Sequence, residues 1–233
     1  MSLHDDCWSA LGGVLDPELD RPITELGFVA TLTIKPDTGV RAELRLPTYF
    51  CAPNFAWLMV ADARDALAAV PGAGRVEVVL LEHFVSAEIN AGVAAVSDFS
   101  ATFQPGALDP ELDELRSTFE RKAHMAAQER LARALIAAGA SDLAAMSVAA
   151  ASSLAPAETA GVVRRRSRLG VSSAFALCDD AGEPLTEARL PGWLRFARTV
   201  RVSIDGNAGF CRGLLETRYG LPSGSPERHP VPG

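Results

Sequence analysis

The sequence has no apolar run near the roughly eighteen residues that suggest a membrane-spanning helix. Its first six residues are polar and acidic, where a secretory leader would be basic and then apolar. It has no excess of positive charge. Lys and Arg number 22 against 29 Asp and Glu, a formal net charge of -7, which speaks against a general nucleic-acid binder, because phosphate neutralisation needs a basic surface. There is no Gly-rich phosphate loop, no G-x-G-x-x-G after a strand, no G-x-S-x-G and no H-E-x-x-H, so nucleotide-binding and common hydrolase readings lack support. Cysteine is scarce and scattered: Cys7, Cys51, Cys178 and Cys211 form no C-x-x-C pair, which removes zinc-ribbon and thioredoxin-type motifs. The expected setting is the reducing cytoplasm, away from membranes, with all four as free thiols.

The chain does have material for a core. Its 233 residues are 48% hydrophobic, enough for one large domain or two small ones. Residues 5–15 place Trp8, Leu11 and Leu15 on one helical face. Asp16-Pro17-Glu18 breaks that helix, since the residue before proline avoids the helical region. Residues 28–34 and 40–46 alternate as strands should, and the turn chemistry of residues 35–39 joins them into a hairpin. Residues 54–70 read as an amphipathic helix that Asn54 can cap, with Phe55, Leu58, Met59, Ala66, Leu67 and Val70 on its apolar face. Residues 75–81 form a third strand. The order helix, strand, strand, helix, strand is that of a small two-layer α/β domain. Residues 85–96 read equally as short helix or loop.

The texture changes after residue 96. The expected organisation is a domain over 1–96, a linker over 97–108, a helical or mixed C-terminal domain over 109–220 and a disordered tail over 221–233. Within the third part, residues 109–138 read as one long helix with Pro110 tolerated in its first turn and Gly139 at its end. Residues 141–154, with Ser141 as cap, and 156–166 read as two further helices. Residues 173–177 and 199–204 read as strands, and 190–198 and 208–219 as helices. The fold class is therefore α+β, with a mostly helical C-terminal region and a few strands. The basic run Arg164-Arg165-Arg166-Ser167-Arg168 could meet an acidic partner, but a solvated helix end explains it more simply.

Chemistry concentrates around Cys51. It stands just before a helix start, where unpaired N–H groups and the positive end of the helix dipole favour a thiolate. A thiolate binds metals and attacks electrophiles; the plainer alternative is a buried small hydrophobe. Thr48 can donate to that sulfur. His83, just after the third strand, could approach it as a co-ligand or as a base in a nucleophile pair, or could simply be a hydrogen-bonded strand-end residue. Cys7, Cys178 and Cys211 carry no spacing signal and read as core.

Asp16-Pro17-Glu18-Leu19, then Leu26-Gly27 before a hairpin, then the Thr48-x-x-Cys51 loop opening a helix, then the Val76-Glu77-Val78-Val79-Leu80 strand, occur in a fixed order. This constellation resembles the metal-sulfur cluster biosynthetic family, which includes SufT-like and PaaD-like proteins. The resemblance covers residues 7–88. It departs in two places. The family has Cys followed directly by Pro after a small residue, whereas this chain has Phe50-Cys51-Ala52-Pro53. Where the family continues into a Trp-Pro segment, this chain has Glu82-His83-Phe84-Val85.

The resemblance implies an accessory factor, not an enzyme, that assembles iron or iron-sulfur centres or delivers them to a client metalloenzyme or a cluster carrier. A multicomponent oxygenase is one client class it implies. By the same transfer Cys51, Asp16 and Glu18 are metal ligands and Thr48 supports them; His83 joins as a supporting residue from its place after the third strand. A cluster needing several thiolates must recruit the other cysteines or a second subunit, so the iron or cluster is expected to be transient and a homodimer is one assembly to look for. The alternative is a non-metal adaptor, a docking module joined to a dedicated chaperone, in which Cys51 is structural.

Overall fold

The structure is a computed structural model that describes residues 2–35, 39–103 and 110–221. Among the described residues it contains eight helices and five short strands, an α+β protein. The chain divides into two compact units: Met1–Asp113 with Asn207–Gly233, and Glu114–Gly206.

In the first unit, α1 (Leu3–Leu11) opens on a capping box. The Ser2 hydroxyl accepts from the Asp5 N–H at 3.2 Å while the Asp5 carboxylate accepts from the Ser2 N–H at 3.0 Å. The helix stops at Leu11, four residues before the expected end, because Gly12-Gly13 follow. Leu15 instead enters β1 (Leu15–Asp16), which pairs antiparallel with β2 (Arg21–Pro22). The expected hairpin is present as β3 (Val29–Lys35) and β4 (Gly39–Leu44), in antiparallel register with Leu32 opposite Ala42. Its centre of turn, residues 36–38, lies outside the described residues. Gly39 has φ +90°, and a Cβ there would sit 2.0 Å from the Arg75 carbonyl oxygen, so only glycine fits.

Strand alternation predicts the two faces of β4 correctly. Val40, Ala42 and Leu44 are buried, and Arg41 and Glu43 pair with each other on the other side at 3.1 Å. From β4 the chain crosses over through α2 (Pro53–Ala68) to β5 (Val76–Leu80), which lies parallel to β4 and completes the order β3-β4-β5. The apolar face of α2 is broader than expected: Ala56, Trp57, Leu58, Met59, Val60, Ala63 and Leu67 are all buried. Residues 85–96 resolve as α3 (Ser86–Ala94). Its Asn90 amide accepts from the Leu80 N–H at 2.8 Å and donates to the Leu80 carbonyl at 3.1 Å, satisfying the open edge of β5. Next comes α4 (Phe99–Phe103), whose two phenylalanine rings meet Trp57 edge-on at 5.7 and 6.2 Å. Residues 104–108 of the expected linker and 222–233 of the expected disordered tail lie outside the described residues.

The second unit is built on α5 (Pro110–Ala137, from Glu114 on), α6 (Val148–Leu154), α7 (Pro156–Leu169) and the first part of α8 (Leu190–Tyr219). Leu131, Leu135, Ala151, Val162, Leu177 and Leu185 form its core. Three expectations are corrected here. Ser147, not Ser141, caps α6, through its hydroxyl on the Ala150 N–H at 3.2 Å. Residues 173–177 make only an isolated bridge, Phe175 to Ser147, and no strand. Residues 199–204 are helical, within the single helix α8. Their β-branched alternation is outweighed by burial at helical spacing: Ala197 and Ile204 are buried in this unit. The basic run is also more than a solvated helix end. Arg166 is buried and donates to the Phe175 and Ala176 carbonyls at 2.7 and 2.8 Å, to Gln128 at 3.4 Å and to His124 at 3.3 Å.

Candidate functional site

The site forms where β4 leaves the sheet and turns into α2. Leu46 is buried and anchors the loop; Cys51 near its far end is only partly buried. The helix begins one residue earlier than expected. Ala52 is its N-cap, Pro53 occupies the first turn, and no side chain caps it. Proline suits that position because it has no N–H to satisfy. Asn54 therefore sits inside the helix, where its amide oxygen accepts from the Phe55 N–H at 2.9 Å instead of capping.

Around the thiol the hydrogen bonds run in sequence. The Phe50 N–H donates to the Thr48 hydroxyl oxygen at 3.2 Å, and that hydroxyl lies 3.3 Å from Cys51 Sγ. Either group can donate in that contact; were the sulfur a thiolate, the Thr48 O–H would be the donor. His83 reaches the same loop but not its sulfur. Its Nε2 lies 2.7 Å from the Cys51 carbonyl oxygen, and its Nδ1 accepts from the Val85 N–H at 3.4 Å. That pattern assigns the neutral tautomer with the proton on Nε2. Both ring nitrogens are engaged with backbone, so His83 is a buried positioning residue for the Cys51 peptide.

Asp16 is buried at the end of β1. Its Oδ1 accepts from the Glu18 and Leu19 N–H groups at 2.9 and 2.8 Å, closing the turn that leads to Asp20. Burial pushes its carboxyl up to about 6, against the pull of those two N–H bonds and with a further push from the Glu18 charge. Glu18 is half-buried, and its Oε1 accepts from the Asn207 side-chain amide at 3.2 Å.

Asn207 lies in the part of α8 that belongs to this unit, and that segment also carries Cys211, which the sequence reads as core. Cys211, one helical turn after Asn207, packs partly buried against the same core cluster as Cys51. Its thiol is pushed up to about 11, by burial first and then by the negative charges of Asp16, Cys51 and Glu18. The segment is pinned further along by Arg218, which donates to the Leu46 carbonyl at 3.1 Å, the Glu82 carbonyl at 2.8 Å and the Glu82 carboxylate at 3.2 Å. Leu215 lies against Gly27 of the Leu26-Gly27 motif. That glycine has φ +75°, and a Cβ on it would be 3.1 Å from the leucine methyl. A sequence signal for Cys211 existed: Asn207, Cys211, Leu215 and Arg218 fall on one helical stripe. The helix expected over 208–219 already held Cys211, Leu215 and Arg218 on that stripe, but nothing local in the sequence tied it to the Asp16 and Cys51 segments. Cys7 and Cys178 are fully buried, as expected.

The outer surface of the loop is aromatic. Tyr49, Phe50 and Phe84 are exposed, and their ring centroids lie 5.0, 5.8 and 6.3 Å apart. Among the described residues, no three His, Cys, Asp or Glu side chains are already gathered as a metal-holding group, and no helix is long and apolar enough to cross a membrane.

Comparison with known proteins finds similarity over the N-terminal part of the chain. Residues 4–79 match the family model described as iron-sulfur cluster assembly protein. Iron-sulfur cluster carrier proteins of Mycobacterium tuberculosis (strain ATCC 25618 / H37Rv) and Mycobacterium bovis are each 44% identical to this chain over 72 residues, and that of Mycobacterium leprae is 40% identical over the same length. Each match covers 31% of this chain and 18% of the relative, so the chain spans less than a fifth of the curated relatives it matches. No solved structure matches the chain. The resemblance read from the Asp-Pro-Glu-Leu and Thr-x-x-Cys motifs therefore holds over the N-terminal part. The family-matched segment contains Asp16, Glu18, Thr48 and Cys51; His83 and Cys211 lie beyond it.

Proposed function

We propose that this protein is an accessory factor that takes up iron or an iron-sulfur cluster at Cys51 and passes it to a client protein. The observation that carries the reading is a partly exposed thiol within hydrogen-bond reach of a threonine hydroxyl, in a loop inside the segment similar to cluster-assembly proteins. The hydroxyl steadies the sulfur in its charged form. His83 holds the Cys51 peptide from below, so the loop keeps its shape while the sulfur exchanges partners. The family resemblance assigns Asp16 and Glu18 as oxygen donors, hard ligands suited to iron.

Release is a ligand exchange without electron transfer. An acceptor thiol gives its proton to the Cys51 sulfur as the iron–Cys51 bond breaks and the iron–acceptor bond forms. One protein-bound thiolate replaces another, so the cargo charge is unchanged. A single loop thiolate suits transient holding better than permanent ligation, for which four thiolates are the usual set. The role is that of a carrier in the cytoplasm and involves no catalytic turnover of a small substrate. The client is a metalloenzyme, with a multicomponent oxygenase as the class the family resemblance suggests, or a cluster carrier protein. The exposed rings of Tyr49, Phe50 and Phe84 beside the loop offer the apolar contact that such a partner would bury.

The exposed aromatic trio also supports a second reading, in which the module docks a partner and Cys51 handles no metal. Cluster transfer separates the two. The full chain is reconstituted anaerobically with iron and sulfide, desalted, and mixed with an apo-ferredoxin acceptor. Holo-acceptor absorbance should grow with the wild type and not with Cys51→Ala. Equal growth with both proteins would leave only the adaptor.

A further inference from the structure

The other thiol of the family-matched segment, Cys7, is fully buried, whereas a partly buried one comes towards the site from a remote part of the sequence. Along the last part of α8, successive members of one face touch the N-terminal module. Asn207 holds Glu18, Leu215 lies against Gly27, and Arg218 holds the Leu46 and Glu82 carbonyls. At 3.6 residues per turn these positions fall within a quarter of the helix circumference, and Cys211 lies between them on the same stripe. It is thus held over the surface that carries Asp16 and Glu18 on one side and the Leu46 to Cys51 loop on the other. Both thiols are free and partly buried against a common cluster.

We propose that Cys211 is a second thiolate ligand of the cargo held by Cys51, so that iron or a small iron-sulfur cluster is gripped between the α2 loop and the C-terminal helix. The inference rests on the reading of Cys51 as a cargo ligand. Two thiolates are the right chemistry: iron-sulfur clusters are held by cysteine sulfur. Two from one chain also leave the remaining iron positions for the ligands of an acceptor, as a carrier requires.

Loading exchanges the Cys211 S–H bond for a sulfur–iron bond, the proton passing to solvent, with no oxidant or reductant required. Asn207 and Arg218 anchor the stripe on either side of Cys211.

The test counts thiolates with cobalt(II) as the probe, added anaerobically to the full chain. Sulfur-to-cobalt charge transfer in the near ultraviolet scales with the number of bound thiolates. Wild type should show a band that Cys211→Ser reduces about twofold, with Cys211→Ala giving the same reduction and far-ultraviolet circular dichroism confirming the fold of each. The double variant with Cys51→Ala should show no band. A full wild-type band in both Cys211 variants, with the band abolished in Cys51→Ala, would overturn the role of Cys211 and leave the proposed function standing. A band unchanged in Cys51→Ala, or no band in the wild type, would overturn both.

Discussion

Replacing Asp16 by asparagine should make this protein more stable at neutral pH, and the structure sets the size of the gain. Asp16 is buried, with a relative exposure of 7%. Its Oδ1 accepts from the Glu18 and Leu19 N–H groups, a task an asparagine oxygen performs equally well. What asparagine removes is the charge. Burial, assisted by the nearby Glu18 carboxylate, raises the folded-state value from 3.8 to about 6. The folded protein then holds its proton more tightly than the unfolded chain. The associated stability is fully present below the unfolded value and is lost as pH rises through the folded one. A rise of about two units corresponds to about 3 kcal/mol by pH 7.5. Asp16→Asn should match the wild type near pH 4 and exceed it by about 2–3 kcal/mol at pH 7.5. The assay is urea unfolding across that pH range, followed by the fluorescence of Trp8 and Trp57, both in the Asp16 unit. A difference between the two proteins that does not grow with pH would refute the reasoning, as would a less stable variant at pH 7.5. If the gain is found together with weaker iron retention, the carboxylate is retained at a cost in stability that its chemistry offsets.

Two other perturbations address the scaffold. His83→Ala removes the donor to the Cys51 carbonyl and opens a small cavity at a buried position; it should cost about 2–4 kcal/mol and speed alkylation of Cys51 by iodoacetamide, both read against His83→Gln, which can still donate. In the second unit, burial and the charges of Arg166 and Arg165 push His124 down to about 4; the unfolded chain binds that proton more readily, so stability should be lost as pH falls from 6.5 towards 4, by about 3 kcal/mol, and His124→Gln should remove that part of the pH dependence in thermal melts.

The small α/β module could be read from the sequence because its signals are local and agree with one another. The alternation at residues 40–46, the turn chemistry before Gly39 and the amphipathic run after Pro53 each specify one element and the same order. The position of Cys51 at a helix start was legible for the same reason. What was not legible depended on burial set by distant partners. Residues 199–204 alternate like a strand, but Ala197 and Ile204 are buried at helical spacing. Arg166 looks like one of four solvated arginines until carbonyls 175 and 176 and the Gln128 and His124 side chains are seen to receive it. The roles around the thiol divide likewise. Thr48 and Cys51 are three residues apart and meet as a local motif suggests. His83 arrives at the right loop but spends both nitrogens on backbone groups. Cys211 is 160 residues from Cys51 in sequence; its helical stripe is legible, but only the folded chain brings that stripe to Asp16 and Glu18.

The account turns on whether the Cys51 sulfur holds the cargo. Its most direct test is the iron and acid-labile sulfide retained per chain after anaerobic reconstitution and desalting, measured for the wild type and for Cys51→Ala with matched circular dichroism. The account predicts both elements in the wild type and neither above background in the variant. Equal retention by the two proteins would contradict it.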